Sequence, residues 1–258
     1  MSLPEKHRIR AAFSRAAVSY DAAAVLQREV CRQLLDMLRA SNARHMPADI
    51  LDAGCGTGYG ARLLASEWPS ARLAAADFAA AMAQKTASTT AAACVADIES
   101  LPFRNQAFDL WWSSLTVQWC DPRYVFAEAV RVLRPQGRPA RSPLGPGTYA
   151  ELRQAFAGID HHRHTLDFSE PAPLAAAAET AGLAQLQIVR RTITLHYPDL
   201  KTLLGAVKAM GANALGDGRR SGMMGKAAWQ ALSAAYEAQR TADGLPASYD
   251  VILLTARA

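Results

Sequence analysis

Three aspartates, each at the end of a short apolar run, have the side chains and spacing to hold a small ligand. Asp52 precedes a glycine cluster in ILDAGCGTGYG, Asp77 ends RLAAAD, and Asp97 ends ACVAD. If these runs are parallel strands, their carboxyl ends share the sheet edge where open α/β sheets bind ligands. Asp52 would repel a phosphate and suits an ammonium or sulfonium group, whereas Asp77 is placed to accept hydrogen bonds from two ribose hydroxyls.

The third acid extends the same pattern. A carboxylate at Asp97 can accept a hydrogen bond from an adenine amino group, and the neighbouring Ile98 can pack on the ring. One acid at a strand end is commonly a helix cap or a solvated residue. Three in this order predict a site for a nucleoside that carries a positive charge.

The glycine cluster predicts a tight turn from a strand into a helix. Gly54, Gly56 and Gly58 form G-x-G-x-G, and glycine permits positive φ and close approach of a ligand to the backbone. The third glycine comes one position earlier than in the dinucleotide fingerprint, so the spacing disfavours a dehydrogenase. Cys55, inside the cluster, is interpreted as a small packing residue.

Strand and helix patterns must position these residues. Residues 5–40 have helical periodicity, and strand and helix patterns then alternate from residue 48 to residue 133. Residues 149–183 are expected to be mainly helical, followed by a strand at 186–195, helices near 200–210 and 226–241, and a closing strand, SYDVILLTA. This alternation predicts one α/β domain with a largely parallel sheet.

Composition excludes several classes of protein. The 258 residues are 50% hydrophobic and 20% charged, with a formal charge of +5. Neither a membrane span nor a secretory signal is expected, and basic runs interleaved with aromatic residues, which would indicate nucleic-acid binding, are missing. Four scattered cysteines are expected to be free thiols in a reducing cytoplasm. The histidines His161, His162 and His164 lack the spacing of further ligands that would complete a metal site.

The quoted motifs, together with FDLWWSS, resemble those of class I S-adenosylmethionine-dependent methyltransferases over roughly residues 48–135. Further segments resemble the malonyl-acyl-carrier-protein O-methyltransferases of biotin synthesis over nearly the whole chain. They are FSRAAVSYD with LQREV, ADIESLPF, SSLTVQWC, LGPGTYAELRQAF, VKAMGANALGDGR and YDVILLTAR. The resemblance implies methyl transfer from S-adenosylmethionine to the free carboxyl of malonyl-phosphopantetheine on acyl carrier protein, with S-adenosylhomocysteine as the second product.

The resemblance also implies an architecture. It is a Rossmann-like seven-stranded sheet with the last strand antiparallel, in a single methyltransferase domain over residues 1–258. Residues 1–45 would form an N-terminal helical lid, residues 46–148 the cofactor-binding half, and residues 149–258 a helical insertion and the last two strands. The residues expected to bind the cofactor are Asp52, Gly54, Cys55, Gly56, Gly58, Asp77, Phe78, Asp97, Ile98 and Ser113.

The chemistry limits what the substrate site must contain. A malonyl carboxyl is ionised at neutral pH, so no general base is needed. A cation on both carboxylate oxygens would stabilise the ground state more than the charge-neutralising transition state. Arg219, in the GDGR segment, is therefore expected to bind one carboxylate oxygen or the thioester arm, with Arg220 as its competitor. The remaining candidates are Tyr20 and Arg15 in the lid, and Gln118 and Trp119 after the fourth strand.

One segment departs from the family pattern. Pro139, Arg141 and Pro143 fall where an uninterrupted apolar fifth strand is expected, and each proline removes a backbone donor. Either the strand is short and irregular or the segment is damaged. Two alternatives therefore stay open, a methyltransferase for a small acid or quinone precursor and a cofactor-binding relative without activity.

Overall fold

The computed structural model describes residues 6–18, 20–41, 46–89, 92–160, 162, 164–208 and 224–258. Within these ranges the strands form one seven-stranded sheet in the order β3-β2-β1-β4-β5-β7-β6. Strands β1 to β5 pair in parallel, whereas β7 is antiparallel to both β5 and β6. The predicted α/β class and the antiparallel last strand are confirmed. The strands are β1 Asp49–Ala53, β2 Arg72–Asp77, β3 Ala92–Val95, β4 Phe108–Ser114, β5 Leu133–Ser142, β6 Ala184–Tyr197 and β7 Leu245–Arg257.

The helices cover the sheet and extend its second half. The N-terminal segment forms α1 Lys6–Ala16, α2 Tyr20–Ala23 and α3 Val25–Ser41, and the crossovers of the parallel strands are α4 Tyr59–Glu67, α5 Ala80–Ala87 and α6 Pro122–Val132. Between β5 and β6 lie α7 Ala150–Phe156 and α8 Pro171–Thr180, and between β6 and β7 lie α9 Leu200–Val207 and α10 Lys226–Glu237. The helix predicted over 226–241 ends four residues earlier, at Glu237.

Helix α3 shows why the N-terminal segment docks on the sheet. Its apolar residues recur at steps of three and four, which places them on one face of the helix. That face packs in the main hydrophobic core together with Trp112 of β4 and Ile50 of β1. The buried residues of this face are Leu26, Val30, Cys31, Leu34, Leu35 and Leu38.

The fifth strand is longer than the sequence led us to expect. β5 runs for ten residues and pairs with β4 through Pro139, which lies opposite Trp111. The irregularity is in the pairing, because the register shifts between Phe108 and Leu110 of β4, and only Ala140 and Arg141 pair with β7. Backbone groups of an interior strand point alternately to its two neighbours, so one missing N–H interrupts a single bond and leaves the strand in place.

Pro143 lies just beyond β5 and is accommodated differently. Its carbonyl accepts a hydrogen bond from the Ile252 amide at 3.0 Å, and the next residue, Leu144, forms an isolated bridge with Val251 of β7. The chain therefore stays attached to β7 where the regular ladder ends. This attachment fixes the start of the loop that leads to α7.

Ion pairs hold the strands together at the end of the sheet opposite the predicted site. The Asp49 carboxylate accepts from Arg72 at 2.6 and 2.7 Å and from Arg134 at 2.7 Å, and Arg134 also donates to Asp109 at 2.8 Å. Hydrogen bonds from Arg72 lower the pKa of Asp49 to about 2. This network joins β1, β2 and β4 to the start of β5.

Candidate active site

A cavity of about 630 Å³ lies at the carboxyl ends of β1, β2 and β4. The lining residues come from the glycine loop, the ends of these strands, the start of α5 and the N-terminal helices. They are Lys6, Phe13, Tyr20, Gly54, Gly56, Asp77, Phe78, Met82, Ala96, Asp97, Ile98, Ser114, Leu115, Thr116, Trp119 and Cys120.

The glycine loop forms one wall of this cavity, which we call the first cavity. Gly54 has φ of 82°, and a Cβ there would lie 2.3 Å from Thr116 Oγ1. Gly56 has φ of 56°, and a Cβ on it would meet nothing within 4 Å. Both positions therefore require glycine, the first for packing and the second for conformation. The open space at Gly56 lets a ligand approach the backbone.

Asp77 joins the loop to the start of α5. Its Oδ2 accepts a hydrogen bond from the Gly56 amide at 2.9 Å, and its Oδ1 accepts one from the Ala79 amide at 2.9 Å. Burial raises the pKa of the carboxyl in spite of these two bonds. Each carboxylate oxygen has a second lone pair, so Asp77 can still accept bonds from a ligand in the cavity.

Asp52 lies behind the glycine loop and is not among the residues that line the first cavity. It is 2% exposed, and its Oδ2 accepts no hydrogen bond from any residue that the structure describes. A Cβ on Gly60 would lie 2.9 Å from this oxygen, so the first turn of α4 packs directly on the carboxylate. Burial and the charge of Asp77 raise the pKa of Asp52 to about 7. A buried carboxylate with one unpartnered oxygen would be stabilised by a nearby cation.

Asp97 and Ile98 line the far side of the cavity, after β3. The Asp97 carboxylate forms an ion pair with Lys6 of α1 at 2.5 Å, and Lys6 also pairs with Glu99. The first turn of α1 is therefore attached to the strand end where a base would bind. Sequence reasoning missed Lys6, because its partners lie about ninety residues away.

Aromatic side chains close the cavity toward the N-terminal helices. The Phe13 ring contacts Trp119 edge to face, with centroids 5.7 Å apart, and lies 6.4 Å from Phe78 and 6.5 Å from Tyr20. Sequence reasoning assigned roles to the other three rings and not to Phe13, the central one. The signal that could have identified Phe13 was its position in FSRAAVSYD, a segment that resembles the family. Arg15, predicted in the lid, is exposed on α1 and does not line the described cavities.

A second cavity, of about 420 Å³, shares Phe13, Tyr20, Leu115 and Trp119 with the first. Its other lining residues are Leu26, Gln27, Gln118, Leu144, Tyr149, Leu166 and Phe168. A third cavity, of about 720 Å³, in turn shares Gln118, Leu144 and Phe168 with the second. The three spaces thus adjoin in series from the glycine loop to the surface near Asp121 and Asp167.

Gln118, predicted to orient a substrate, lies between the second and third cavities. Its Nε2 donates to the Leu115 carbonyl at 2.8 Å. Its Oε1 is buried and has no hydrogen-bond partner within the described ranges. Trp119, which follows it in a short 3-10 turn over Val117–Trp119, is 7% exposed and lines the boundary between the first two cavities.

The remaining predicted residues fall into two groups. Cys55 and Gly58 belong to the loop without lining the cavity, and Ser113 is fully buried in β4 while its neighbour Ser114 lines the cavity. Successive side chains of a strand point to opposite faces, which explains this one-residue difference.

Arg219 and Arg220 lie outside the described residues. His161 also does, whereas His164 pairs with Asp160 at 2.6 Å and stacks on Phe156.

The described residues contain neither a metal-binding cluster nor a membrane-spanning helix. No group of three or more His, Cys, Asp or Glu side chains in them is placed to hold a metal ion. No helix among them is long and apolar enough to cross a membrane.

The first cavity fits a cationic nucleoside such as S-adenosylmethionine. The backbone at Gly56 is open to the close approach of a ligand. Negative charge comes from the Asp77 carboxylate at the edge of the cavity and from Asp52 behind the loop, whose Oδ2 has no described partner. Ile98 and Phe78 supply apolar faces at the side of Asp97. These are the features that a ligand with a base, a ribose and a positive charge requires.

Comparisons with known proteins agree with this geometry. Residues 51–140 match the family model described as a methyltransferase domain. The chain is 48% identical over 254 residues to the malonyl-[acyl-carrier protein] O-methyltransferase of Dechloromonas aromatica, covering 98% of this chain and 95% of that protein. It is 38% identical to the biotin biosynthesis bifunctional protein BioHC of Cellvibrio japonicus, over 97% of this chain and 50% of that protein.

A solved structure shows the same fold. The YcgJ protein of Bacillus subtilis superposes with a TM-score of 0.59 at 17% sequence identity, covering 88% of this chain and 98% of that one.

Proposed function

The chain belongs to the malonyl-acyl-carrier-protein O-methyltransferase family, and on that premise we propose that it methylates the free carboxyl of a malonyl thioester on acyl carrier protein. The product, a malonyl methyl ester, would enter the synthesis of biotin. The enzyme is an S-adenosylmethionine-dependent methyltransferase. One observation carries the assignment of the substrate site: the second cavity meets the first at Tyr20 and Trp119.

When bound, S-adenosylmethionine supplies an electrophilic methyl group on a sulfonium, so that a carboxylate lone pair forms the O–C bond as the C–S pair goes to sulfur. No proton moves in this transfer, and no described residue has to act as a base. The chain must align a carboxylate oxygen with the methyl group, about 3–3.5 Å away, and exclude water. Phe13, Trp119 and Leu115 provide an apolar boundary that excludes water where the two cavities meet.

The series of cavities suits a long thioester. A malonyl group in the second cavity leaves the third cavity for the phosphopantetheine arm, and Gln118 lies where the two join. We assign Gln118 to the first amide of the arm, because its Oε1 is a buried acceptor with no partner among the described residues and can accept from the amide N–H. Acyl carrier protein would remain outside, near the mouth of the third cavity.

The domain organisation and location belong to the same proposal. We propose one methyltransferase domain in which α1 to α3 act as a lid over both cavities. Free thiols at Cys31, Cys55, Cys94 and Cys120 support a cytoplasmic location. We propose neither a nucleic acid nor a membrane as a partner.

Transfer of a radiolabelled methyl group tests the proposal directly. Malonyl-carrier protein should be methylated, malonyl-coenzyme A should react more slowly, and free malonate should not react. The product should keep its methyl label when no base is added. Mass spectrometry should identify it as the methylated thioester. Turnover of free small acids without turnover of malonyl-carrier protein would instead support the small-acid methyltransferase.

A further inference from the structure

Tyr20 occupies the boundary where substrate and cofactor must meet. It lines both the first and second cavities, and of the four described residues that do so, only Tyr20 and Trp119 carry a polar side-chain group. Burial raises the pKa of the Tyr20 hydroxyl to about 12, so the group keeps its proton at neutral pH. Tyr20 is therefore a permanent hydrogen-bond donor at this boundary.

Gln27, in the first turn of α3, determines where that donor can point. Its Nε2 donates to the Tyr20 hydroxyl oxygen at 3.3 Å, which uses one lone pair of the phenol. The phenolic proton must then be directed elsewhere. The Gln27 Oε1 is buried without a partner in the described ranges, and Gln27 itself lines the second cavity. The amide thus orients the hydroxyl without competing for its proton.

The second cavity contains no charged side chain among its described lining residues. Among the described residues, a malonyl carboxylate there would meet only uncharged donors. Methyl transfer neutralises the carboxylate, so a full cation bound to it would stabilise the ground state more than the transition state. The Tyr20 phenol can hold the carboxylate while leaving it reactive, since a neutral donor does not neutralise the carboxylate charge.

We propose that Tyr20, oriented by Gln27, binds the malonyl carboxylate in the second cavity through a hydrogen bond from its uncharged hydroxyl. In this assignment, which rests on the proposed function, Tyr20 touches the reacting group and Gln27 is a positioning residue. The pair selects a free carboxylate over its methyl ester, because the ester oxygen is a weaker acceptor and carries no charge.

Binding to the enzyme loaded with S-adenosylhomocysteine separates this role from a structural one. Calorimetry would compare malonyl-carrier protein with its methyl ester for the wild type, Gln27→Leu and Gln27→Glu. We expect Gln27→Leu to weaken malonyl binding roughly 10-fold, and Gln27→Glu to weaken it further through charge repulsion. Binding of the methyl ester should change less than threefold in either variant. The matched control is Gln84→Glu, the same chemical change on the exposed face of α5.

A double-mutant cycle tests whether Gln27 acts through Tyr20. Tyr20→Phe should cause the same selective loss, and adding Gln27→Leu to it should cost little more, because the group that Gln27 orients has gone. Additive losses, or equal losses for malonyl and methyl-ester ligands, would overturn the assignment. Tyr20→Phe also tests the site if Gln27→Leu fails to fold.

Failure of this inference is distinguishable from failure of the proposed function. If the wild type methylates malonyl-carrier protein and the Gln27 and Tyr20 variants match it, only the carboxylate site is wrong. If the wild type neither binds nor methylates malonyl-carrier protein, both are overturned.

Discussion

The guanidinium carbon of Arg141 lies 3.7 Å from the centroid of the Phe126 ring. Arg141 is fully buried in β5, and none of its side-chain nitrogens hydrogen-bonds to a described residue. Burial lowers its pKa to about 9. A cation over an aromatic face contributes about 2 kcal/mol when desolvated, which is less than the penalty for burying an unpaired charge. The buried, unpaired charge of Arg141 therefore lowers the stability of the protein at this interior strand.

Replacing this arginine should stabilise the protein. We expect Arg141→Leu to raise the free energy of unfolding by about 1–3 kcal/mol, because an apolar side chain there has no desolvation cost. Urea denaturation followed by circular dichroism measures the change. Arg134→Leu is the contrast, since Arg134 pairs with Asp49 and Asp109 and its loss should destabilise the protein. A lower stability of Arg141→Leu would mean that the guanidinium has a partner, such as a buried water.

The raised pKa of Asp52 predicts how stability varies with pH. The folded chain keeps this proton up to about pH 7, whereas the unfolded chain loses it near 3.8. The folded state thus binds more protons in this window, so the contribution of Asp52 to stability falls as pH rises from about 4 to about 7. Asp52→Asn should flatten that slope in denaturation measured between these pH values. An unchanged slope would show that Asp52 is ionised throughout.

The same carboxyl should make cofactor affinity depend on pH. A cation bound near Asp52 favours its ionised form, so the affinity for S-adenosylmethionine should rise as pH increases toward about 7 and level off above it. Calorimetry in buffers of different ionisation enthalpy should detect proton release on binding. Asp52→Asn should abolish the release, and persistent release in that variant would point to Asp77.

Asp77→Ala should weaken the binding of S-adenosylmethionine by about 1–3 kcal/mol, because a charged acceptor is lost. It should also lower stability, since the Gly56 and Ala79 amides lose their acceptor. Titration calorimetry at a temperature where the variant is folded separates the two effects. Unchanged affinity in a folded variant would remove Asp77 from the site.

The formal charge of +5 predicts electrostatic attraction of an acidic carrier protein. The KM for malonyl-carrier protein should rise steeply with salt, whereas that for S-adenosylmethionine should barely change. Arg123, exposed beside Asp121 of the third cavity, is a candidate contact, so Arg123→Glu should raise the first KM several-fold at low salt. Lys201→Glu, exposed on α9, is the charge-matched control. Equal salt sensitivity for both substrates would contradict electrostatic docking.

Arg219 lies outside the described residues, and its role is tested by kinetics. If it binds one malonyl oxygen, Arg219→Ala should lower methyl transfer by roughly 10²-fold and leave cofactor affinity intact. Arg219→Lys should recover little, since an ammonium cannot reproduce the planar guanidinium. Equal weakening of substrate and methylated product would assign Arg219 to the phosphopantetheine arm or the carrier protein. Activity within about twofold of the wild type would leave Tyr20, oriented by Gln27, as the residue that binds the carboxylate.

Much of the fold and the cofactor cavity could be predicted from local sequence. Asp77 and Asp97 lie at strand ends beside the cavity because a run of apolar residues fixes both the strand and the point where it stops. The glycine spacing fixed the turn, since Gly54 and Gly56 have backbone angles that other residues rarely adopt. These features depend on a few adjacent residues, so the sequence by itself determined them.

The tertiary structure decided everything that depends on residues distant in sequence. Asp52 is sealed behind the loop by α4, Lys6 reaches Asp97 across the sheet edge, and Gln27 meets Tyr20 in the second cavity. β5 continues through Pro139 because β4 holds it in register, although local propensity opposes a strand there. Burial, pKa shifts and cavity boundaries arise from long-range packing. The hydrophobic periodicity of one segment does not indicate which other segment will pack against it.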